Sequence, residues 1–191
     1  MEVKDLTNMI GYNFRMTELE AAVAIEQFKK SDDLVNHRRE LCEYLTKRLT
    51  GLYGITTPKI RPGCTHDYLL YCVLYDQKKI GLSKKEFLKQ LDAEGIKLTV
   101  SDKRHVPPIS DFVKPIHLQP IFAQKHFRPH GYPWSSELYS KNISYESGIC
   151  PVVEDLWQNS LICINAIYPP LSFSDMDDIA NAFEKVIRLN S

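Results

Sequence analysis

Between residues 17 and 49 apolar positions recur every three to four residues, the period of a helix with one buried stripe. Thr17 and Glu20 in TELE have the spacing of a capping box, in which the threonine hydroxyl accepts from a free backbone amide and the glutamate reaches back to another. A helix is predicted to begin there, with Leu19, Ala22, Val23 and Phe28 on one side. The pattern resumes after SDD with Val35, Leu41, Leu45 and Leu49 and stops at Gly51 and Gly54. This reads as one long or kinked helical arm, with Asp32 and Asp33 near the bend.

The rhythm then changes. YLLYCVLY, residues 68 to 75, is aromatic and β-branched and short enough for a strand buried on both faces. Ser83 and Glu86 repeat the capping-box spacing and open a helix with Phe87, Leu88 and Leu91 inward and Gly95 as its stop. IKLTV at 96 to 100 reads as a second strand, completing strand, helix, strand. From 106 to 151 prolines and aromatics crowd together and no apolar period lasts, so a long irregular loop is expected, its aromatic content arguing against disorder. LICINAIY, 161 to 168, restores a strand. Ser174 with Asp177 is expected to start a closing helix whose Met176, Ile179, Phe183 and Val186 share a face.

Charge narrows the partners. The 24 Lys and Arg balance 24 Asp and Glu, so the field that draws proteins to nucleic acid or anionic membrane is missing, and neither partner is expected. No stretch approaches the roughly 18 apolar residues of a membrane span, and no export signal follows Met1. Five cysteines at irregular spacing, without a CxxC pair, read as reduced thiols in a cytoplasmic protein.

Self-contained catalytic machinery is hard to find. The chain has no HExxH, GxSxG, P-loop or GxGxxG. The six histidines, His66, His105 and His117 among them, are too dispersed to imply a metal site. Cys150 in GICP has no base beside it in sequence and reads as a small buried thiol, and Tyr12 and Met16 read as packing residues. Taken alone, Asn13 reads as a turn residue before the Thr17 cap and Arg15 as a solvated or interface charge.

Three segments nonetheless occur in a recognisable order: GYNFRMTELEAA at 11 to 22, KPIHLQPIF at 114 to 122, and SYESGICPVVEDL at 144 to 156. Together they resemble the C-terminal portion of the DegT/DnrJ/EryC1/StrS family of pyridoxal-phosphate-dependent sugar aminotransferases. The resemblance implies an α/β chain: the small C-terminal domain, with a long helical arm, of the aspartate-aminotransferase-like fold. Residues 1–54 would be the N-terminal segment and arm leading to a missing large domain, and 55–191 the small domain with its loop at 106–151. It also implies a nucleotide-linked keto-sugar substrate, a glutamate-type amino donor, pyridoxal 5'-phosphate as cofactor, and a homodimer or a missing large domain as partner. In the family the Asn of this motif reaches the cofactor phosphate of the neighbouring subunit, and Asn13 matches it. Arg15 would add charge to that site or to the nucleotide sugar, and His117 and Gln119 would shape the sugar pocket.

The departure is as informative as the match. The family's large domain carries the Schiff-base Lys, in a Ser-His-x-x-Lys context followed by glycines, and an Asp for the ring nitrogen; neither SDKRH at 101 to 105 nor LSKKEF at 82 to 87 reproduces that pattern. Asp111 and Phe112 stand where many members have a His-Tyr pair. Pyridoxal chemistry needs an amine within covalent reach and a carboxylate on the ring nitrogen. The expectation is therefore a chain with no catalytic residue of its own, starting where the second part of a larger enzyme starts and inactive alone. Alternatives are the family's dehydratase branch, which replaces the Lys with His, and a non-catalytic dimerising subunit or fragment.

Overall fold

The computed structural model describes residues 15–96, 114–125, 131–139, 143–164 and 167–190. Helix α1 spans Glu18–Phe28, and its Thr17–Glu20 capping box is formed as expected: Glu20 N donates to Thr17 Oγ1 at 3.3 Å and Thr17 N to Glu20 Oε2 at 2.7 Å. Lys29 and Lys30 interrupt the arm, and α2 follows over Ser31–Leu49 with Asp32 and Asp33 in its first turn, where carboxylates offset the free amides. Leu41, Cys42, Leu45 and Leu49 are fully buried on α2, whereas α1 buries nothing. The single apolar side expected for α1 is not what forms. At about 100° per residue, Phe28 falls half a turn round from Leu19, and α1 is apolar on several sides.

A three-stranded antiparallel sheet runs β1 (Ile55–Thr56), β2 (Tyr71–Tyr75), β3 (Leu161–Ile164). Between β2 and β3 come the short α3 (Gln77–Ile80), capped by Asp76, and α4 (Lys84–Ala93), capped by Ser83 and Glu86. The closing helix is α7 (Phe173–Asn190). Strand β2 is half-buried, not buried on both faces as expected: Tyr71, Val73 and Tyr75 face the core while Leu74 is 44% exposed. Among the described residues, α4 and α7 pack on the face that carries Tyr71, Val73 and Tyr75. Phe87 of α4 meets Tyr75 at 4.7 Å and Phe183 of α7 at 5.5 Å between ring centroids, joining sheet and helices into one core. Each such fully buried large side chain contributes about 1.5 to 3 kcal/mol. Residues 97–100 of the expected IKLTV strand lie outside the described residues.

The cap of α7 lies two residues earlier than expected. Ser172 N and Oγ both donate to Asp175 Oδ2, at 2.7 and 2.6 Å, in place of the Ser174 and Asp177 pair. Asp177 instead faces α2, accepting from Tyr44 Oη at 2.8 Å and pairing with Arg48. A carboxylate just past the first turn thus ties the two long helices along their polar edge.

These elements belong to one compact unit, drawn from Thr17–Phe112 and Gln158–Ser191; a second unit takes Met1–Met16 and Val113–Trp157. The second holds a 3₁₀ turn at Ile116–Leu118, α5 (Pro120–Ala123) and α6 (Pro151–Asp155); a π-helical turn at Leu156–Ser160 follows α6 along the chain. Its order comes from the aromatics that the sequence places there. Phe122 packs edge-on to Trp134 at 6.0 Å and tilted to Tyr145 at 5.5 Å. Trp134 Nε1 donates to Tyr145 Oη at 3.3 Å, and the Tyr139 and Tyr145 hydroxyls are hydrogen-bonded.

Candidate functional site

The polar centre of the second unit is Glu154. Proline at the first position of α6 starts a five-residue helix, and Glu154 lies one turn in, where its side chain folds back over the loop that precedes it. Ser147 Oγ donates to Glu154 Oε2 at 2.6 Å, and Gly148 N reaches both oxygens at 2.8 and 2.9 Å. Cys150 N donates to Oε1 at 3.2 Å, and His117 Nε2 lies 2.8 Å from the same oxygen. Glu154 and His117 are both buried. Ser147 above all, then the Gly148 amide, His117 and the Cys150 amide, hold this carboxyl down at about 2 against the opposing effect of burial. With the carboxylate ionised, the facing His117 nitrogen carries the hydrogen.

The arrangement joins two of the three signature segments: His117 comes from KPIHLQPIF and the other four residues from SYESGICPVVEDL. Glu154 was not singled out by its sequence. The available signal was a Ser-Gly-x-Cys-Pro run followed three residues later by an acid, a loop whose amides need an acceptor. Cys150 is exposed, not the buried thiol expected, because the loop uses its backbone amide and leaves the sulfur outside.

The other expected site residues are dispersed. Gln119 Nε2 donates to Lys114 O at 2.8 Å, and its Oε1 is buried without a hydrogen-bond partner among the described residues. Arg15 is exposed, and Met16, expected to pack, is 64% exposed. Asn13 and Tyr12 lie outside the described residues, as does His105. His66 is exposed and accepts from Tyr68 N through Nδ1 at 2.8 Å. No group of three or more His, Cys, Asp or Glu is placed to hold a metal among the described residues, and no described helix is long and apolar enough to cross a membrane.

A pyridoxal phosphate site would need a reachable lysine amine, a carboxylate for the ring nitrogen and donors for the phosphate. The described residues do not make that set. The buried lysine among them, Lys84, directs Nζ to Leu161 O at 3.3 Å, and Arg15 stands at the surface.

Comparison with known proteins gives the family. The model of the DegT/DnrJ/EryC1/StrS aminotransferase family matches residues 2–164. The spore coat polysaccharide biosynthesis protein SpsC of Bacillus subtilis is 23% identical over 179 residues, covering 93% of this chain and 38% of SpsC. Among solved structures, S. venezuelae DesV superposes with a TM-score of 0.64 at 24% identity, over 93% of this chain and 38% of DesV. Helicobacter pylori PseC, an aminotransferase involved in the biosynthesis of pseudoaminic acid, gives a TM-score of 0.59 at 21% identity, over 98% of this chain and 41% of PseC. The fold is therefore the expected one, the C-terminal small domain and helical arm of an aspartate-aminotransferase-like fold. This chain spans about two fifths of the length of the relatives it matches. By the match across residues 2–164, the chain belongs to the DegT/DnrJ/EryC1/StrS aminotransferase family.

Proposed function

We propose that this chain is the C-terminal part of a cytoplasmic pyridoxal-phosphate-dependent aminotransferase acting on a nucleotide-linked keto-sugar, with a glutamate-type donor, in polysaccharide or amino-sugar biosynthesis, and that it does not transaminate alone. The observation carrying this reading is a family match over most of the chain that spans only about two fifths of the relatives' length. The relatives named for spore coat polysaccharide and pseudoaminic acid biosynthesis support the sugar class.

Pyridoxal phosphate, when bound, supplies an aldehyde for the amino group and a ring that takes up electron density. The covalent lysine is assigned to the missing large domain, and this chain contributes surroundings. Asn13 donates its amide to the cofactor phosphate of the partner subunit, and Arg15 adds charge to the same site or to the nucleotide sugar. His117 spends Nε2 on Glu154 and so holds the segment that carries Gln119 towards the sugar. Helix α1 supports a larger assembly: Leu19, Val23, Ile25 and Phe28 are 80, 60, 59 and 79% exposed around it, and a helix apolar on several sides belongs inside a larger core. The partner is a large domain or a second copy.

The test is co-expression with a family large domain bearing the Lys, followed by dialysis and measurement of retained cofactor by absorbance. A hydrogen bond to a charged group contributes about 1.5 to 3 kcal/mol, so Asn13→Ala should weaken retention roughly tenfold to a hundredfold at about 1.4 kcal/mol per decade. Asn13→Asp should be worse, because it sets a carboxylate against a phosphate. Far-ultraviolet circular dichroism should not change, since the Thr17–Glu20 cap is untouched. Equal retention in all three proteins removes the role of Asn13. With the chain alone, a borohydride-trapped cofactor adduct at a single lysine overturns the assignment of the Schiff base elsewhere.

A further inference from the structure

Cys72 and Cys163 are direct partners across the β2–β3 ladder, and their sulfurs lie 3.0 Å apart. We propose that this pair is a thiol–disulfide exchange site, closing to an intramolecular disulfide by reaction with a low-molecular-weight disulfide such as oxidised glutathione. The inference stands on the sheet geometry and is independent of the aminotransferase reading.

Three observations carry it. Opposed residues of an antiparallel pair have Cα atoms about 4.5 to 5.5 Å apart, inside the range of about 4.4 to 6.8 Å that a disulfide spans. Both side chains leave the sheet on the face away from the helices, beside Leu74 and Leu161, because Tyr71, Val73, Ile162 and Ile164 occupy the core face. Cys72 is partly exposed while Cys163 is 8% exposed, which gives one accessible sulfur and one sheltered sulfur behind it. Cys163 is the partner that keeps its proton: its hydrogen bond to Cys72 and its burial raise the thiol, and the ammonium of Lys84, whose Nζ sits on the carbonyl of Leu161, offsets them only in part. Cys42, by contrast, is fully buried and burial pushes its thiol up to about 12.

The order of events follows from exposure. Cys72 ionises first, its thiolate stabilised by the S–H of Cys163. It attacks one sulfur of the small disulfide, whose S–S bond breaks and releases one thiol, leaving Cys72 in a mixed disulfide. Cys163 then loses its proton, attacks Cys72 Sγ and expels the second thiol. Two protein S–H groups become one S–S bond, and the small disulfide is reduced to two thiols that take up the two protons. The partners are 91 residues apart, so the bond encloses the whole of residues 114–157 and ties together the two strands between which that segment is inserted.

The test uses the full chain without substitution. After incubation with oxidised glutathione, remaining thiols are alkylated and peptides are mapped by mass spectrometry. The expected result is a Cys72–Cys163 linked peptide and the loss of these two of the five alkylatable thiols together, both reversed by dithiothreitol. In Cys163→Ser the reaction should stop with glutathione on Cys72, and in Cys72→Ser the linked peptide should vanish. Cys72 and Cys163 both remaining alkylatable while the exposed Cys64 and Cys150 take up glutathione overturns the proposal. So does a native chain in which Cys72 stops at the mixed disulfide. The peptide map of the unsubstituted chain decides the matter whether or not the variants fold.

Discussion

Glu154→Gln keeps the shape of the buried side chain and removes its charge. Four groups donate to the carboxylate, Ser147 Oγ, the amides of Gly148 and Cys150, and His117 Nε2. An amide presents NH₂ at one end, so at least one of these donors meets another donor and a buried polar group is left unsatisfied. The pH dependence gives the magnitude. The Glu154 carboxyl falls from its ordinary 4.5 to about 2 on folding. A depressed carboxyl stabilises the fold in full above its unfolded value, and that contribution is lost as pH falls through the folded value. The window is therefore pH 4.5 down to about 2, with the folded unit favoured at the upper end. Both tryptophans, Trp134 and Trp157, lie in the same unit as Glu154, so their emission reports on this unit. The native chain should keep its emission maximum to about pH 4.5 and shift progressively below it. Ser147→Ala should move that transition to higher pH, and His117→Ala should move it less, because Ser147 lowers the carboxyl most. Glu154→Gln should show weakened burial of the tryptophans at neutral pH and a flat response across the window. An unaltered acid transition in Glu154→Gln, or a larger effect from His117 than from Ser147, would refute the reasoning.

Gly54 has φ +73°, and a Cβ there would come within 2.5 Å of Ile80 Cγ1, so Gly54→Ala adds about 1 to 3 kcal/mol of overpacking to a left-handed penalty of about 1 to 2 kcal/mol. Gly51→Ala, at φ +88° with nothing within 4 Å, should bear only the second cost; equal shifts in urea midpoint for the two would remove the close approach. The exposed apolar surface of α1 should drive self-association or dye binding of the chain alone, and Leu19→Glu with Val23→Lys should weaken it roughly a hundredfold to ten-thousandfold for about 1.5 to 3 kcal/mol from each of the two side chains removed from burial. Light scattering that finds a clean, dye-silent monomer before substitution would count against that surface.

Much of the fold was legible because it rests on short-range rules. The Thr17–Glu20 and Ser83–Glu86 boxes fix two helix starts by spacing alone, and the stripe Met176, Ile179, Phe183, Val186 fixes the buried face of α7. Errors arose where tertiary context decides between equal local options. Ser172 and Ser174 each precede an acid by three residues, and Asp177 is drawn away because Tyr44 and Arg48 of α2 claim it. YLLYCVLY has no strongly polar residue to mark an outer face, and the core built by α4 and α7 decides that Tyr71, Val73 and Tyr75 are inside while Leu74 is exposed. The site was less legible still. Glu154 acts through donors supplied by a loop and by His117, 37 residues away, a separation that no periodicity records.

The signature segments differ in where their polar groups are spent. KPIHLQPIF and SYESGICPVVEDL satisfy one another: His117, Ser147 and the Gly148 and Cys150 amides all close on Glu154, and breaking one partner of such a buried set strands the rest. Their first requirement is folding, so substitution at His117 or Glu154 should disturb the tryptophan signal before any assembly is measured. GYNFRMTELEAA behaves otherwise. Arg15 is exposed, and the helix it leads into is capped at Thr17 yet has no buried residue. Under the proposed function, Arg15 and the exposed apolar side chains of α1 are the groups that a larger assembly would use. Substitution at Asn13 or Arg15 should accordingly leave the circular dichroism and tryptophan signals intact and change only what the assembled protein retains, a separation that a purely structural role for this segment does not produce.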